Sequence, residues 1–273
     1  MHGIGNDFVV FDALDCPTFD APDFGFERAA QTLCARHTGV GADGLLLLLR
    51  GEDAPVRMRM WNPDGTEDMC GNGLRCIARL AHARGYVGET FAVQTLAGVR
   101  DCSIEGELVS VGMGQPMLEP SAIPMSLIHG ENPQHYLLPV GDERLPALSL
   151  STGSTHTVLF CDSLPDDARF FHLSPLIEGH VFFPQRTSVM WAQHTGANEL
   201  RLRIWERGAG ETWACGTGAC AAAVAAILTG RARDQVTVSS KGGALRIAWQ
   251  EGGPITMTGP AQIVFHGQWS AAL

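Results

Sequence analysis

Short apolar or alternating runs bounded by Gly, Pro and Asp recur along this chain, and each predicts a strand. They are Phe8–Phe11, Leu45–Leu49, Val56–Trp61, Phe91–Thr95, Leu108–Val111, Thr157–Phe160, Thr187–Trp191, Leu200–Trp205, Val236–Ser239, Leu245–Trp249 and Ile255–Thr258. Helical periodicity is rarer and predicts helices over Glu27–Arg36, Leu74–Arg84 and Ala219–Leu228, with a weaker one near Pro175–Gly179. The run Ala219–Leu228 has almost no polar face, so it has to be surrounded on every side, and a sheet curled around a central helix meets that need. The Pro-rich stretch Pro116–Pro146 shows little periodicity and is the expected crossing between two halves of the chain.

Two halves are expected because the pattern repeats. Val56-Arg-Met-Arg-Met-Trp61 leads through a polar turn to Met69-Cys-Gly-Asn-Gly73 and an apolar stretch; Leu200-Arg-Leu-Arg-Ile-Trp205 leads through a similar turn to Ala214-Cys-Gly-Thr-Gly218 and another. Phe91-Ala-Val-Gln94 then matches Val236-Thr-Val-Ser239, and Val111–Pro116 matches Thr256–Pro260. The repeat predicts a duplicated fold of α/β (α+β) class. Its domains are residues 1–116 and 117–260, with 261–273 packing back onto the first.

Composition narrows the function more than the fold. The chain has 19 Lys and Arg against 29 Asp and Glu, a net charge of −10 with the basic residues scattered, which argues against nucleic-acid or anionic-membrane partners. The first residues lack the regions of a signal peptide, and no apolar run approaches the ~18 residues of a membrane span, so a soluble cytoplasmic protein is expected. Eight cysteines without a C-x-x-C pair read as reduced thiols, with no metal site expected.

Cys70 and Cys215 stand apart because they occupy matched positions in matched Gly-rich loops. An isolated intracellular cysteine is ordinarily a small buried hydrophobe. Two in a duplicated fold can face one carbon, where one thiolate removes a proton and the other thiol delivers one from the opposite side. Each should sit just before a helix N-terminus, whose orphan N–H groups and dipole lower a thiol pKa from about 8.5. The N–H groups of Gly71, Asn72, Gly216 and Thr217 would cradle a carboxylate and the charge that grows on it, with flanking glycines allowing close approach.

With these loops placed, the chain resembles the diaminopimelate epimerase family over nearly its full length. The matching segments are His2-Gly-Ile-Gly-Asn-Asp-Phe8, Gly39-Val-Gly-Ala-Asp-Gly-Leu45, Asn62-Pro-Asp-Gly-Thr-Glu67, Met69–Gly73, and Glu206-Arg-Gly-Ala-Gly-Glu-Thr212 running into Ala214–Ala219. The resemblance implies two pseudo-symmetric domains, each a mixed β-sheet wrapped around a central α-helix, and an enzyme using neither metal nor cofactor. It implies interconversion of LL- and meso-diaminopimelate, with Cys70 and Cys215 as the catalytic thiols. Asn6, Gly71, Asn72, Gly216 and Thr217 would hold the reacting amino-acid head, and Asn62, Glu206 and Arg207 the remote one. His156 would help to deprotonate a thiol. A small-molecule amino acid is the expected partner, and a homodimer is left open.

The chain departs from the family pattern at two positions that carry asparagine there: it has Ser154 before Thr155-His156, and Ser188 after Pro184-Gln-Arg-Thr187. Both belong to the group that recognises the remote carboxylate, and serine reaches less far. A cysteine-pair racemase of another amino acid, akin to the proline and hydroxyproline racemases, therefore stays open, as does a non-catalytic binder or thiol sensor on the same fold.

Overall fold

The computed structural model describes residues 1–16, 24–126 and 132–269. The chain forms two compact units, Met1–Gly112 with Thr258–Leu273, and Met113–Met257. The first contains β1 (His2–Gly3), β2 (Asn6–Asp12), α1 (Phe26–Cys34), β3 (Gly44–Arg50), β4 (Val56–Trp61), β5 (Glu67–Asp68), α2 (Gly71–Ala83), β6 (Thr90–Thr95), β7 (Gly98–Glu105) and most of β8 (Leu108–Gly114). The second contains β9 (Tyr136–Val140), β10 (Glu143–Ser151), β11 (Thr155–Cys161), α3 (Asp167–Glu178), β12 (Ser188–Gly196), β13 (Glu199–Glu206), β14 (Gly210–Thr212), α4 (Gly216–Leu228), β15 (Gln235–Ser240), β16 (Gly243–Ala248) and the start of β17 (Ile255–Pro260).

The units repeat one pairing scheme. In the first, β2 pairs parallel with β3, β3 antiparallel with β4, β4 antiparallel with β5 and parallel with β6, and β6 antiparallel with β7. In the second, β11, β12, β13, β14, β15 and β16 repeat those relations in the same order. Each sheet is mixed and carries a helix on both faces. In the first unit, Leu45, Leu47 and Leu49 meet α1 through Ala29, Ala30 and Leu33, while Leu46 faces α2. Cover on both sides is why β3 is an unbroken leucine run rather than an alternation. In the second, α3 packs Phe170, Leu173 and Ile177 against Leu159, Val189 and Trp191.

The apolar helix is enclosed as its composition requires: α4 packs against β10, β11, β12, β13, β15 and β16, and every residue from Gly218 to Ala226 is buried. Both central helices start three residues earlier than their apolar periodicity predicts, at Gly71 and Gly216. The glycines at those starts read as loop, yet Gly73 and Gly218 are there for packing. A Cβ on Gly73 would lie 2.9 Å from Leu46 Cδ2, and one on Gly218 2.5 Å from Met190 Sδ. The two outer glycines therefore bring the helix onto its sheet, where the motif suggests ligand approach.

Helix α3 is 12 residues long where only Pro175–Gly179 was expected. Pro175 hides it, but Asp166 caps it by accepting from the Arg169 N–H at 2.8 Å, and its buried face runs through Phe170, Leu173, Ser174 and Ile177. The Pro-rich stretch holds the hairpin β9–β10. Pro139 and Pro146 lie where β9 and β10 pair only with each other; from Leu148 onward β10 pairs with β11. A strand segment bonded on one side can spare an N–H. The unit boundary lies earlier, inside β8. Among the described residues, no helix is long and apolar enough to cross a membrane, and no cysteine forms a disulfide.

The loop after α1 folds back over the helix end, with Gly39, Gly41 and Ala42 N–H groups bonded to the carbonyls of Ala35, Leu33 and Cys34. A Cβ on Gly39 would collide with the Thr32 and Leu33 carbonyls, which are backbone and cannot turn aside. Gly39→Ala should therefore cost about 3 kcal/mol, the upper end of overpacking, whereas Gly218→Ala should cost about 1 kcal/mol because the Met190 thioether can swing. Urea unfolding midpoints decide the order; equal midpoints would show that the helix-end carbonyls yield as easily as a methionine.

Candidate functional site

In the first unit, His2–Phe8 folds as a hairpin around Ile4 and Gly5, whose φ values of 51° and 86° suit a two-residue turn. Gly3 packs tightly on α2: a Cβ would stand 2.8 Å from Arg75 Nη2, and the buried guanidinium would have to shift. The hairpin delivers Asn6 to the start of α2. Asn6 Nδ2 donates to Asp43 Oδ2 at 2.7 Å, and its Oδ1 accepts from Asn72 Nδ2 at 3.0 Å and from the Cys70 thiol at 3.5 Å. Asp43 is held by Arg36 at 2.7 Å and the Asp7 N–H at 3.2 Å. Asn72 is buried, and its Oδ1 has no hydrogen-bond partner among the described residues.

In the second unit, Cys215 is buried and its sulfur accepts from the Gly218 N–H at 3.3 Å, with Thr217 Oγ1 3.4 Å away. Thr152 Oγ1 donates to the Thr217 carbonyl at 2.9 Å. Glu206 accepts from Thr212 Oγ1 at 2.6 Å and also lies close to the Cys215 thiol. Burial, reinforced by the Glu206 charge, pushes the Cys215 pKa well above the ordinary thiol value, against the opposing bonds from Thr217 and Gly218. The expected lowering by the helix N-terminus is thus overturned here: in a dry site beside a carboxylate, desolvation outweighs the dipole.

Strand registers make the surroundings of the two cysteines correspond. Phe8 pairs with Gly44 as His156 pairs with Ser188, and Leu45 with Trp61 as Val189 with Trp205. Asn6 therefore answers to Ser154, Gly44 to Ser188, Asn62 to Glu206, and Asn72 to Thr217. Cys70 and Cys215 share an extended backbone, φ −129° and ψ 125° against φ −130° and ψ 110°, each at the N-cap of a 13-residue helix. In the first turns, the N–H groups of Gly71 and Asn72, and of Gly216 and Thr217, have no intrahelical acceptor, as at any helix start.

The remaining expected residues have local tasks as well. Asn62 closes the Asn62–Thr66 turn, with Nδ2 on Thr66 Oγ1 at 3.1 Å and its N–H on the Thr66 carbonyl. Ser188 Oγ accepts from the Arg207 N–H at 3.1 Å, and the exposed Arg207 gives Nη1 to the Gln185 carbonyl at 3.0 Å. Ser154 Oγ lies 3.1 Å from His156 Nε2. His156 is fully buried, and burial with the charge of Arg207 drives its pKa down to about 3. It is neutral near pH 7, since burial disfavours the cation that taking a proton would create.

Sequence reasoning missed three supports. Asp43 lies inside the visible Gly39–Leu45 motif and Arg36 just before it, but the link from Asp43 to Asn6 is not local. Glu178, the last residue of α3, is buried and receives Trp205 Nε1 and the Gly208 N–H, both at 2.7 Å, together with Arg186. It thereby clamps both sides of the Glu206–Arg207 corner, and no motif announces it.

A family model described as diaminopimelate epimerase matches residues 1–119 and 148–264. A diaminopimelate epimerase of Desulforudis audaxviator is 44% identical, over 100% of this chain and 98% of that protein. One of Pelotomaculum thermopropionicum is 45% identical, over 98% and 96%. Among solved structures, a hydroxyproline epimerase of Agrobacterium vitis with bound trans-4-hydroxy-L-proline superposes with a TM-score of 0.67, at 15% identity over 95% of this chain and 86% of that one. A phenazine biosynthesis protein of the PhzF family from Bacillus anthracis gives 0.63, at 17% identity over 95% and 92%. These two share the fold. The match of the family model across most of the length, with relatives above 40% identity end to end, shows that the chain belongs to the diaminopimelate epimerase family.

Proposed function

We propose that the protein is a cofactor-independent epimerase that interconverts LL- and meso-diaminopimelate, serving lysine and cell-wall precursor synthesis as a soluble cytoplasmic enzyme. The observation that carries this reading is a pair of cysteines with the same backbone at the heads of equivalent helices, in a chain of this family. The substrate α-carboxylate binds the N–H groups of Gly71, Asn72, Gly216 and Thr217, which stabilise the charge delocalised onto it as the α-proton leaves. The thiolate of one cysteine takes that proton and becomes a thiol, while the thiol of the other gives its proton to the opposite face of the carbon. The roles exchange in the reverse direction. The raised Cys215 pKa supports a thiol there, ready to donate, and leaves Cys70 as the group that gives up its proton when substrate binds.

Two observations support a shifted substrate as the second reading. Ser154 and Ser188 replace the family's asparagines, and both are already engaged, with His156 and the Arg207 backbone.

Incubation of the reduced protein in deuterated water with LL-diaminopimelate should place deuterium at one α-carbon. Cys70→Ala and Cys215→Ala should each abolish this. If either variant kept more than about a tenth of the wild-type rate, a loss under ~1.4 kcal/mol, the two-thiol mechanism would be wrong.

Arg207→Lys keeps the charge but loses the fork that grips a carboxylate, so the KM for diaminopimelate should rise about tenfold or more with kcat less affected. An unchanged KM, with equal turnover of an amino acid lacking the remote carboxylate, selects the second reading.

His156→Gln should leave every inflection of the pH–rate profile in place, because a group titrating near 3 contributes none at working pH. Its pKa is depressed from 6.5 to about 3. The unfolded chain therefore takes that proton first, and the contribution to stability, full above 6.5, is lost as pH falls toward 3. The variant should accordingly lose less stability in acid than wild type, measured by urea unfolding at several pH values; an equal acid loss would show that His156 is not held neutral.

A further inference from the structure

The segment Gly39–Leu45 is a family motif whose acidic residue has no part in the mechanism above. Asp43 nevertheless sits one hydrogen bond from Asn6 and two from Cys70. We propose that Asp43 is a positioning residue that, acting through the Asn6 amide, fixes Cys70 as a hydrogen-bond donor and so holds it as the thiol in the ligand-free protein. This rests on the reading of Cys70 as a proton-transfer group, but its test needs no turnover.

The argument turns on the direction of a hydrogen-bond chain. A primary amide presents an acceptor on one side and donors on the other, and either side of Asn6 could face Cys70 and Asn72. With both amides reversed, the Asn6–Asn72 bond would survive, now running from Asn6 Nδ2 to Asn72 Oδ1. The reversed chain would, however, set the Asn6 oxygen against the Asp43 carboxylate, where two acceptors meet at 2.7 Å. An ionised carboxylate accepts only, so it selects the observed direction. Arg36 and the Asp7 N–H hold that carboxylate in place. Asn72 follows the direction imposed from Asp43 rather than its own needs, since its Oδ1 is left buried without a partner. Asn6 Oδ1 then meets the Cys70 sulfur at 3.5 Å. A thiol can donate to that oxygen; a thiolate cannot, and would be repelled by it.

The second unit shows the same position without the charge. By register, Asp7 and Asp43 answer to Thr155 and Thr187, and Asn6 to Ser154, whose hydroxyl can rotate to donate or accept. At this register position, among the described residues, the first unit carries an anion that acts through an amide, whereas in the second unit Glu206 lies beside the thiol itself.

Among the described residues of the first unit, the charged and titratable groups near Cys70 include Asp7 on β2, Asp43 and Arg36 beside it, Arg75 and Cys76 on α2, the Met1 ammonium, and Asp68 on β5, which accepts the Met69 N–H. Asp43→Asn removes the charge of one of them and leaves the rest as they are. It therefore has to be separated from the direct loss of one negative charge, which would also ease ionisation of Cys70.

The experiment is the pH dependence of Cys70 alkylation by iodoacetamide in the full-length protein, followed by peptide mass spectrometry. In Asp43→Asn the Asn6 amide can turn and donate to sulfur, so the inflection should fall by about one unit, a tenfold gain in thiolate at lower pH. In an Asn6→Ala background the same substitution should move it by less than about a third of that, as a double-mutant cycle requires if the effect passes through Asn6. Three results overturn the proposal: an unmoved inflection, an equal shift without Asn6, or alkylation that is faster at every pH with the same inflection, as simple loosening would give. Asp43→Ser, smaller and equally uncharged, replaces Asp43→Asn if the latter does not fold. Retained epimerisation in Cys70→Ala would sink the catalytic reading alone and leave this result standing.

Discussion

Each central helix can begin at its cysteine only because a glycine three residues on lets the helix lie against the sheet. A side chain at Gly73 or Gly218 would strike Leu46 or Met190, so that side chain would have to swing aside or the helix lift away. The extended backbone of Cys70 and Cys215 and the orientation of the following N–H groups depend on that contact. The chemistry of the site therefore rests on a packing constraint: a helix N-terminus presents donors to a ligand only when its first turn is held in place.

On that shared frame the two units diverge in electrostatics. The first surrounds its cysteine with a relay of carboxylates, arginine and amides: Arg36, Asp7 and Asp43 pass a fixed direction through Asn6. The second surrounds its cysteine with hydroxyls and one carboxylate, Thr217, Thr152 and Glu206, in a drier setting. A reaction that removes a proton on one face of a carbon and supplies one on the other needs a base and an acid, the roles proposed for two cysteines in unlike surroundings. Duplication supplies the likeness, and substitution at equivalent register positions supplies the difference.

Burial decides which elementary effect prevails at Cys215 and His156. Near a helix start a thiol is ordinarily acidified, but desolvation penalises the thiolate and the Glu206 charge adds to it, so the proton stays. At His156 the same penalty acts on the cationic form and removes the proton. Both groups end up neutral for one reason: little water is left to solvate a charge.

The repeat, the enclosed Ala-rich helix, the strand runs and the two cysteine loops were legible in the sequence, because duplication, period and composition are local properties that survive in one dimension. Helix α3 and the β9–β10 hairpin were not, since prolines break their periodicity and only the one-sided pairing of β9 with β10 makes the strand prolines tolerable. The outer glycines were visible as glycines, but their purpose depends on what stands opposite, Leu46 and Met190, far away in the chain. Likewise Asp43 on Asn6, Glu178 on the Glu206–Arg207 corner, and the protonation of Cys215 and His156 were decided by tertiary structure alone. Hydrogen-bond direction and desolvation depend on which groups meet across the fold and how much water remains between them, and no spacing along the chain encodes either.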